Sequence, residues 1–302
     1  MIKSIKKLTA YTIVKDSIKD FISGESMGLA AGTAFYTIFS LPAFAIIILN
    51  IGTAIFSESE MQAEILHQIE VLAGSESKAS IEEIFNNFDI GENKGIPNVV
   101  AVLILAFSAT TVFVSLQNAI NHIWHIKPKP AKGILKFAIN RLLSFSLIAS
   151  IGLILVISLI LDAAFVIVNN YLTQFLIVDI PFDVAALVHF FTAQAFFVLI
   201  FALMYKILPD AKVRWKDTWM GAFITMVLIG VGKYLIGIYL GNSDLGSTYG
   251  AAGSLVILLV WTYYSIVIFL FGAQITYYIA ENVGGSIIPK DEAVRVELRE
   301  IE

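Results

Sequence analysis

Residues 250–280 read GAAGSLVILLVWTYYSIVIFLFGAQITYYIA, thirty-one positions without one charged side chain. A bilayer-spanning helix needs about 20 mostly apolar residues, so this stretch by itself is long enough to cross hydrocarbon. Five more runs of the same kind precede it, at roughly 27–56, 97–120, 138–168, 182–208 and 217–240. They predict an all-α, polytopic membrane protein with six transmembrane helices. Closed barrels also span membranes, but their strands of about 10 alternating residues do not match long unbroken apolar runs. Several runs exceed the minimum, so tilt is expected, and Pro42 is expected to bend the first.

Composition agrees. Of 302 residues, 58% are hydrophobic and 15% charged, with a mean hydropathy of +0.81. A soluble domain carries about a quarter charged residues. There is too little polar surface here to clothe a globule in water. The absence of cysteine removes disulfides, thiolate metal sites and cysteine nucleophiles.

The order of the cations sets an expected orientation. Lys3, Lys6, Lys7, Lys15 and Lys19 precede the first run, and Lys127, Lys129, Lys132, Lys136 and Arg141 separate the second from the third. Lys206, Lys212, Arg214 and Lys216 separate the fourth from the fifth, and Lys290, Arg295 and Arg299 follow the sixth. The intervening connections at 169–181 and 241–249 hold no cation, and 57–96 holds only Lys78 and Lys94. By the positive-inside rule both termini lie in the cytoplasm. The expected organisation is one six-helix membrane domain over 1–302, in three appended parts. Residues 1–24 form a cytoplasmic amphipathic helix, 57–96 an extracytoplasmic helical loop, and 285–302 a cytoplasmic tail. In the first, Ile2, Ile5, Leu8, Tyr11, Val14, Ile18 and Phe21 make the apolar stripe. Such a helix either lies on the membrane face or packs on the bundle. The first apolar run begins too late and runs too long for a signal peptide. In the loop, 60–73 is expected to be helical with Gly74 as its C-cap. Ser80 with Glu83 is expected to open a second helix through Phe88.

Polar groups at membrane depth are costly and therefore informative. Lys233 in the fifth run, Asp162 in the third and His189 in the fourth fall at comparable depth toward the outer side. They are expected to pair or to line one outward-opening cavity, which Gln194, Asn50, Ser108, Thr110 and Thr111 would extend. The alternatives are snorkelling for Lys233 and a wet helix end for Asp162. Gly28 and Gly32, and Gly237 and Gly241, have the GxxxG spacing that lets membrane helices approach closely, and Gly250, Gly253 and Gly272 lie along the sixth run; all are expected to serve helix packing.

No catalytic machinery is legible. Gly250-Ala251-Ala252-Gly253-Ser254 lacks the lysine of a nucleotide loop, and neither HExxH nor GxSxG occurs. His122 and His125 are three apart, a weak metal spacing with no obvious carboxylate beside it. No metal and no cofactor is expected. The basic connections are accounted for by membrane orientation, so no nucleic-acid partner is expected.

Three motifs carry a family resemblance. They are Ala34-Phe35-Tyr36-Thr37-Ile38-Phe39-Ser40-Leu41-Pro42; Leu116-Gln117-Asn118-Ala119-Ile120-Asn121-His122-Ile123-Trp124; and Tyr249-Gly250-Ala251-Ala252-Gly253-Ser254-Leu255, continuing through Trp261-Thr262-Tyr263-Tyr264 to Gly272-Ala273-Gln274. In order and spacing they resemble the YihY / virulence factor BrkB family of inner-membrane proteins. The resemblance implies six spans in the bacterial inner membrane with cytoplasmic termini, and family-motif roles for Tyr36, Ser40, Pro42, Asn121, Trp124, Tyr249, Trp261 and Tyr264. It supplies no settled activity and no catalytic residues. Members have been labelled ribonuclease BN, a label these residues do not support. The leading expectation is a non-enzymatic translocator of a lipid or small solute, with membrane lipids as partners and a homo-oligomer as an open possibility. A scaffold or envelope assembly factor and a membrane enzyme such as a ribonuclease are the competing readings.

Overall fold

The computed structural model describes residues 2–53, 55–73, 75–87, 96–129, 182–241 and 253–297. Eight helices lie in these segments: α1 (Ile2–Ser23), α2 (Ser26–Gly52), α3 (Glu58–Ala73), α4 (Ser75–Asn87), α5 (Ile96–Ile123), α6 (Phe182–Ile207), α7 (Trp215–Gly241) and α8 (Gly253–Asn282). Five of the six expected apolar runs are thus helices at nearly the expected positions. The run at 138–168 lies outside the described residues. Pro42 sits inside α2, which continues as helix on both sides of it. Among the described residues, 215–236 and 256–282 are each long and apolar enough to cross a bilayer.

The helices form a bundle in which α2 packs on α5 and α8, and α7 packs between α6 and α8. Polar groups join them. Thr33 Oγ1 on α2 lies 2.7 Å from Ser115 Oγ on α5. The Tyr205 hydroxyl on α6 donates to the Phe269 carbonyl on α8 at 2.7 Å and lies 2.8 Å from Thr225 Oγ1 on α7, so one phenol ties three helices. A buried Tyr needs such partners, because an unpaired hydroxyl in an apolar interior costs about 1–3 kcal/mol.

Close helix approach falls at Gly272, one of the glycines noted along the sixth run, and at Gly221 and Gly232, which were not singled out. A Cβ at Gly272 would overlap the hydroxyls of Thr225 and Tyr205. One at Gly221 would overlap Thr276, and one at Gly232 would overlap Tyr264, whose hydroxyl donates to the Leu228 carbonyl at 3.1 Å. By contrast, a Cβ at Gly28 or Gly32 meets nothing within 4 Å among the described residues. Gly237, Gly241 and Gly253 lie in α7 and α8, but their packing is outside the described residues, as is Gly250. Gly272→Leu is therefore expected to separate α7 from α8. The cost is about 3 kcal/mol, combining overpacking with loss of the Tyr205–Thr225 contact, read as a lower unfolding midpoint in SDS titration. Gly28→Ala, in contrast, has room for its methyl among the described residues and should not lower that midpoint.

The helical loop departs from expectation in register. Its second helix begins at Ser75, not Ser80. The reciprocal cap is at Ser57 and Glu60 instead: Glu60 Oε2 accepts from the Ser57 backbone N at 2.9 Å, and the Glu60 N donates to Ser57 Oγ at 3.3 Å. That is the capping-box geometry, one helix earlier than the sequence reading placed it. Those hydrogen bonds hold the Glu60 carboxyl below its ordinary range. A 2.7 Å bridge from Lys78 to Glu70 ties α4 to α3. Ile65 and Leu66 bury against Ile48, Met61, Ile81 and Phe85, with Ile69 partly covered. The pair packs onto α2.

For α1 the buried face is Ile13, Ser17 and Phe21, set against Ile275, Ile279 and Phe271. Of the expected stripe, Phe21 is buried, whereas Tyr11, Val14 and Ile18 are exposed. The helix packs on the bundle with one side and turns an apolar side outward with the other.

The purely α-helical expectation needs amendment. Among the described residues two antiparallel strand pairs occur: β1 (Ile126–Pro128) with β4 (Ala293–Arg295), and β2 (Ala211–Lys212) with β3 (Ile288–Pro289). Strands of two or three residues carry no hydrophobic period, so nothing in the sequence announces them. They sew the chain after α8 across the ends of α5 and α6. Because these segments meet there, the cations at 127–129, 206–216 and 290–295 gather at one end of the bundle, here termed the basic end.

Candidate functional site at the basic end

The most concentrated polar chemistry among the described residues lies at that end. Asn121 is in the last turn of α5, Gln117 one turn earlier on the same face, and Asp210 in the connection from α6 to β2. All three are buried. Asn121 Nδ2 donates to Asp210 Oδ2 at 2.9 Å, and the Asp210 backbone N donates to Asn121 Oδ1 at 2.8 Å. Gln117 Nε2 donates to Asp210 Oδ1 at 3.3 Å. A carboxylate out of water is tolerable only with its lone pairs occupied, and two neutral amides occupy them here. Asn121 faces Asp210 in a reciprocal pair, so each side chain fixes the other.

Around this core the chain after α8 closes like a strap. The Lys290 N donates to the Asp210 carbonyl at 2.9 Å, and Lys290 Nζ donates to the Pro209 carbonyl at 2.8 Å, just beyond the C-terminal end of α6. A cation there complements the helix dipole. Burial holds the Lys290 amine below its ordinary range, against the pull of Asp210 and Glu292. Trp124, wholly buried, donates from Nε1 to the Ala273 carbonyl on α8 at 2.9 Å. Arg295 lies 3.3 Å from Glu281 and donates to the Tyr277 hydroxyl at 3.0 Å. Asp217, buried at the start of α7, pairs with Arg214 at 3.1 Å.

Beside the buried network opens a cleft of about 480 Å³, lined by Asn118, Asn121, His122, His125, Lys127 and Glu297 among others. His122 Nε2 is 4.0 Å from the Glu25 carboxylate, so a carboxylate does stand by it, which the sequence reading did not find. Among the described residues no three His, Asp or Glu side chains group closely enough to hold a metal ion. His125 has φ 55°, a left-handed conformation uncommon outside glycine, and its carbonyl accepts from the Val296 N at 2.9 Å. The cleft offers hydrogen-bond donors and acceptors and charged side chains of both signs.

His125 provides a pH handle. Burial first, then His122 and Arg295, holds its imidazole below the ordinary value of 6.5, against Asp20. The unfolded chain therefore takes up this proton before the folded one. The contribution to stability is complete above about pH 6.5 and is lost as pH falls through the lower folded value. Unfolding midpoints should be lower at pH 5 than at pH 7.5. The share from a half-exposed imidazole is on the order of half a kcal/mol. In His125→Asn, which tolerates the same backbone, the drop should shrink.

The expected outer cavity is only partly in view. Asp162 lies outside the described residues. His189 lies in α6, its side chain outside them. Gln194 is half-buried on α6, and Lys233 is exposed on α7. The helix register places His189 and Lys233 each eighteen residues from the basic end of two antiparallel neighbours, about 27 Å along both. Of the motif residues, Ser40, Asn121, Trp124 and Trp261 are buried, Tyr264 is partly covered and Tyr36 is exposed. Tyr249 lies outside the described residues. Asp210 escaped the sequence reading because it sits in a polar connection. Its only sequence signal is an acidic residue placed among four cations.

Long apolar helices joined by polar contacts, with one end sewn shut over a buried carboxylate, define an integral membrane protein of the helical-bundle class. The model of the family described as "Virulence factor BrkB" matches residues 17–295. The chain belongs to that family. Similar curated proteins are named UPF0761 membrane proteins. One from Pseudomonas paraeruginosa is 33% identical over 177 residues, covering 58% of this chain and 40% of that protein. Another from Delftia acidovorans is 26% identical over 184 residues, 60% of this chain and 42% of that protein. A third from Xanthomonas campestris pv. campestris is 25% identical over 277 residues, 84% of this chain and 57% of that protein. The chain therefore spans about half the length, or less, of the curated relatives it matches. No solved structure matches it.

Proposed function

We propose that this protein is a six-span translocator of the bacterial inner membrane, with cytoplasmic termini, which moves a lipid or small polar solute and is not an enzyme. The observation that carries the reading is the pairing of a polar cleft with a buried carboxylate network at the ends of apolar helices. Charged and amide groups are expensive to bury, and a cluster of them beside an open cleft suits a site where a polar species is met. The matched depth of His189 and Lys233 supports a second polar layer toward the other side, in which Asp162 completes the set. The cytoplasmic placement of the basic end rests on the cation count.

The test uses purified protein in liposomes. Fluorescently labelled phospholipid, read by dithionite bleaching, and a panel of labelled polar solutes serve as probes. Transfer of at least one probe is expected to exceed the protein-free rate, and Asp162→Ala is expected to remove the excess. Rates equal to those of empty liposomes for every probe would sink the proposal. The enzyme reading draws its one specific support from His122 beside Glu25. Nuclease activity that disappears in His122→Ala with His125→Ala would replace the translocator with that reading.

A further inference from the structure

We propose that the start of α7 is a binding site for the headgroup of an acidic phospholipid, formed by Lys212 and Lys216 below the exposed indoles of Trp215 and Trp219. The proposal needs only that the protein sits in a membrane, and stands whether or not it transports anything.

The argument begins with a stripe. Trp215, Trp219, Met220, Phe223, Val227, Val231, Tyr234, Leu235 and Ile238 are all exposed large apolar residues, adjacent or spaced by three or four along α7. They run down one side of the helix for 23 residues, about 35 Å, close to the thickness of a hydrocarbon core with its interfaces. In water such a side would be an aggregation surface; in a bilayer it is the side that acyl chains cover. The stripe has aromatic residues with a polar edge at both ends, Trp215 and Trp219 at one and Tyr234 at the other, the arrangement favoured at headgroup level.

The two ends differ in charge. Lys216 lies one turn before Trp219 and Met220, so it shares their face. Lys212 precedes the helix and is also exposed. Lys206 adds a third cation, its ammonium 5.4 Å from the Trp215 ring. The local carboxylates are already committed: Asp210 to Asn121 and Gln117, and Asp217 to Arg214. Neither Lys212 nor Lys216 makes an ion pair among the described residues. Two cations without a counter-charge, next to indoles at interface depth and continuous with an acyl-length apolar stripe, complement one thing: a phosphate on a lipid of net negative charge.

Two of the four tryptophans are exposed and two, Trp124 and Trp261, are buried, so intrinsic fluorescence reports this site. The protein is reconstituted with phosphatidylcholine containing increasing fractions of either brominated phosphatidylglycerol or brominated phosphatidylcholine. Brominated phosphatidylglycerol should quench with a relative association constant roughly tenfold higher. In Lys212→Gln with Lys216→Gln the two lipids should quench alike, within about twofold, while helix content stays the same. Trp215→Phe with Trp219→Phe should remove the quenchable component and so assign it. If the glutamine variant does not purify folded, wild-type protein in 1 M salt should lose the preference by screening. Equal quenching by both lipids in the wild type at low salt, or a preference that survives both loss of the lysines and high salt, overturns the proposal. Quenching that persists in the double Phe variant overturns it too.

Discussion

Replacing Asn121 by alanine should cost the folded bundle about 3 kcal/mol or more. The change removes the donor to one oxygen of a buried carboxylate and the acceptor for the Asp210 backbone N–H, both at good hydrogen-bond length. Losing one partner of a buried polar pair leaves the other desolvated and unpaid by any contact, and the penalty is larger when that other is a carboxylate. Gln117 alone, at 3.3 Å, cannot replace the lost donor. Reversible unfolding in SDS reads the loss. The double exchange Asn121→Asp with Asp210→Asn is the decisive companion. It puts the carboxylate on α5 and the amide on the connection, where the same contacts can form with the partners exchanged. It should recover most of the stability. Failure of the exchange, with Asn121→Ala also near wild type, would mean that the pair does not hold the basic end.

Trp124→Ala should be comparably damaging, about 3–5 kcal/mol, from a cavity the size of an indole where no solvent reaches. The indole does two separable things. Its rings fill the space around Ile120, Ile123 and Ala273 in the main buried cluster. Its Nε1 occupies the Ala273 carbonyl at 2.9 Å, bridging α5 to α8. Trp124→Phe keeps most of the volume and removes only the bond, so its loss should be about 1–2 kcal/mol. If Phe and Ala lose equally, the hydrogen bond carries the effect; if Phe matches wild type, volume does.

Composition and spacing settle part of this protein without any coordinates. Apolar runs of 20 residues or more have one stable form in lipid, because every backbone N–H and C=O must be satisfied within the segment. That is why α2, α5, α6, α7 and α8 lie nearly where the runs at 27–56, 97–120, 182–208, 217–240 and 250–280 place them. The second motif likewise drew attention to Asn121 and Trp124, and both prove to be buried at the junction of elements.

Other features were hidden for physical reasons. Helix faces are fixed by neighbours, so the sequence reading noted Gly272 but missed Gly221 and Gly232, which are also pressed against another helix, while Gly28 and Gly32 meet no described side chain. Which side of α1 is buried depends on the groove beside α8, and the groove took Ile13, Ser17 and Phe21. The strand pairs that strap the basic end join residues 126–128 to 293–295 and 211–212 to 288–289. Contacts between segments so far apart in the chain leave no local period to read. Hydrophobicity is a property each segment carries alone, and it determined the helices and their membrane setting. The partner of Asp210, the cleft beside His125 and the meeting of the cationic segments at one end depend on how separate segments are brought together, and only the tertiary structure decided them.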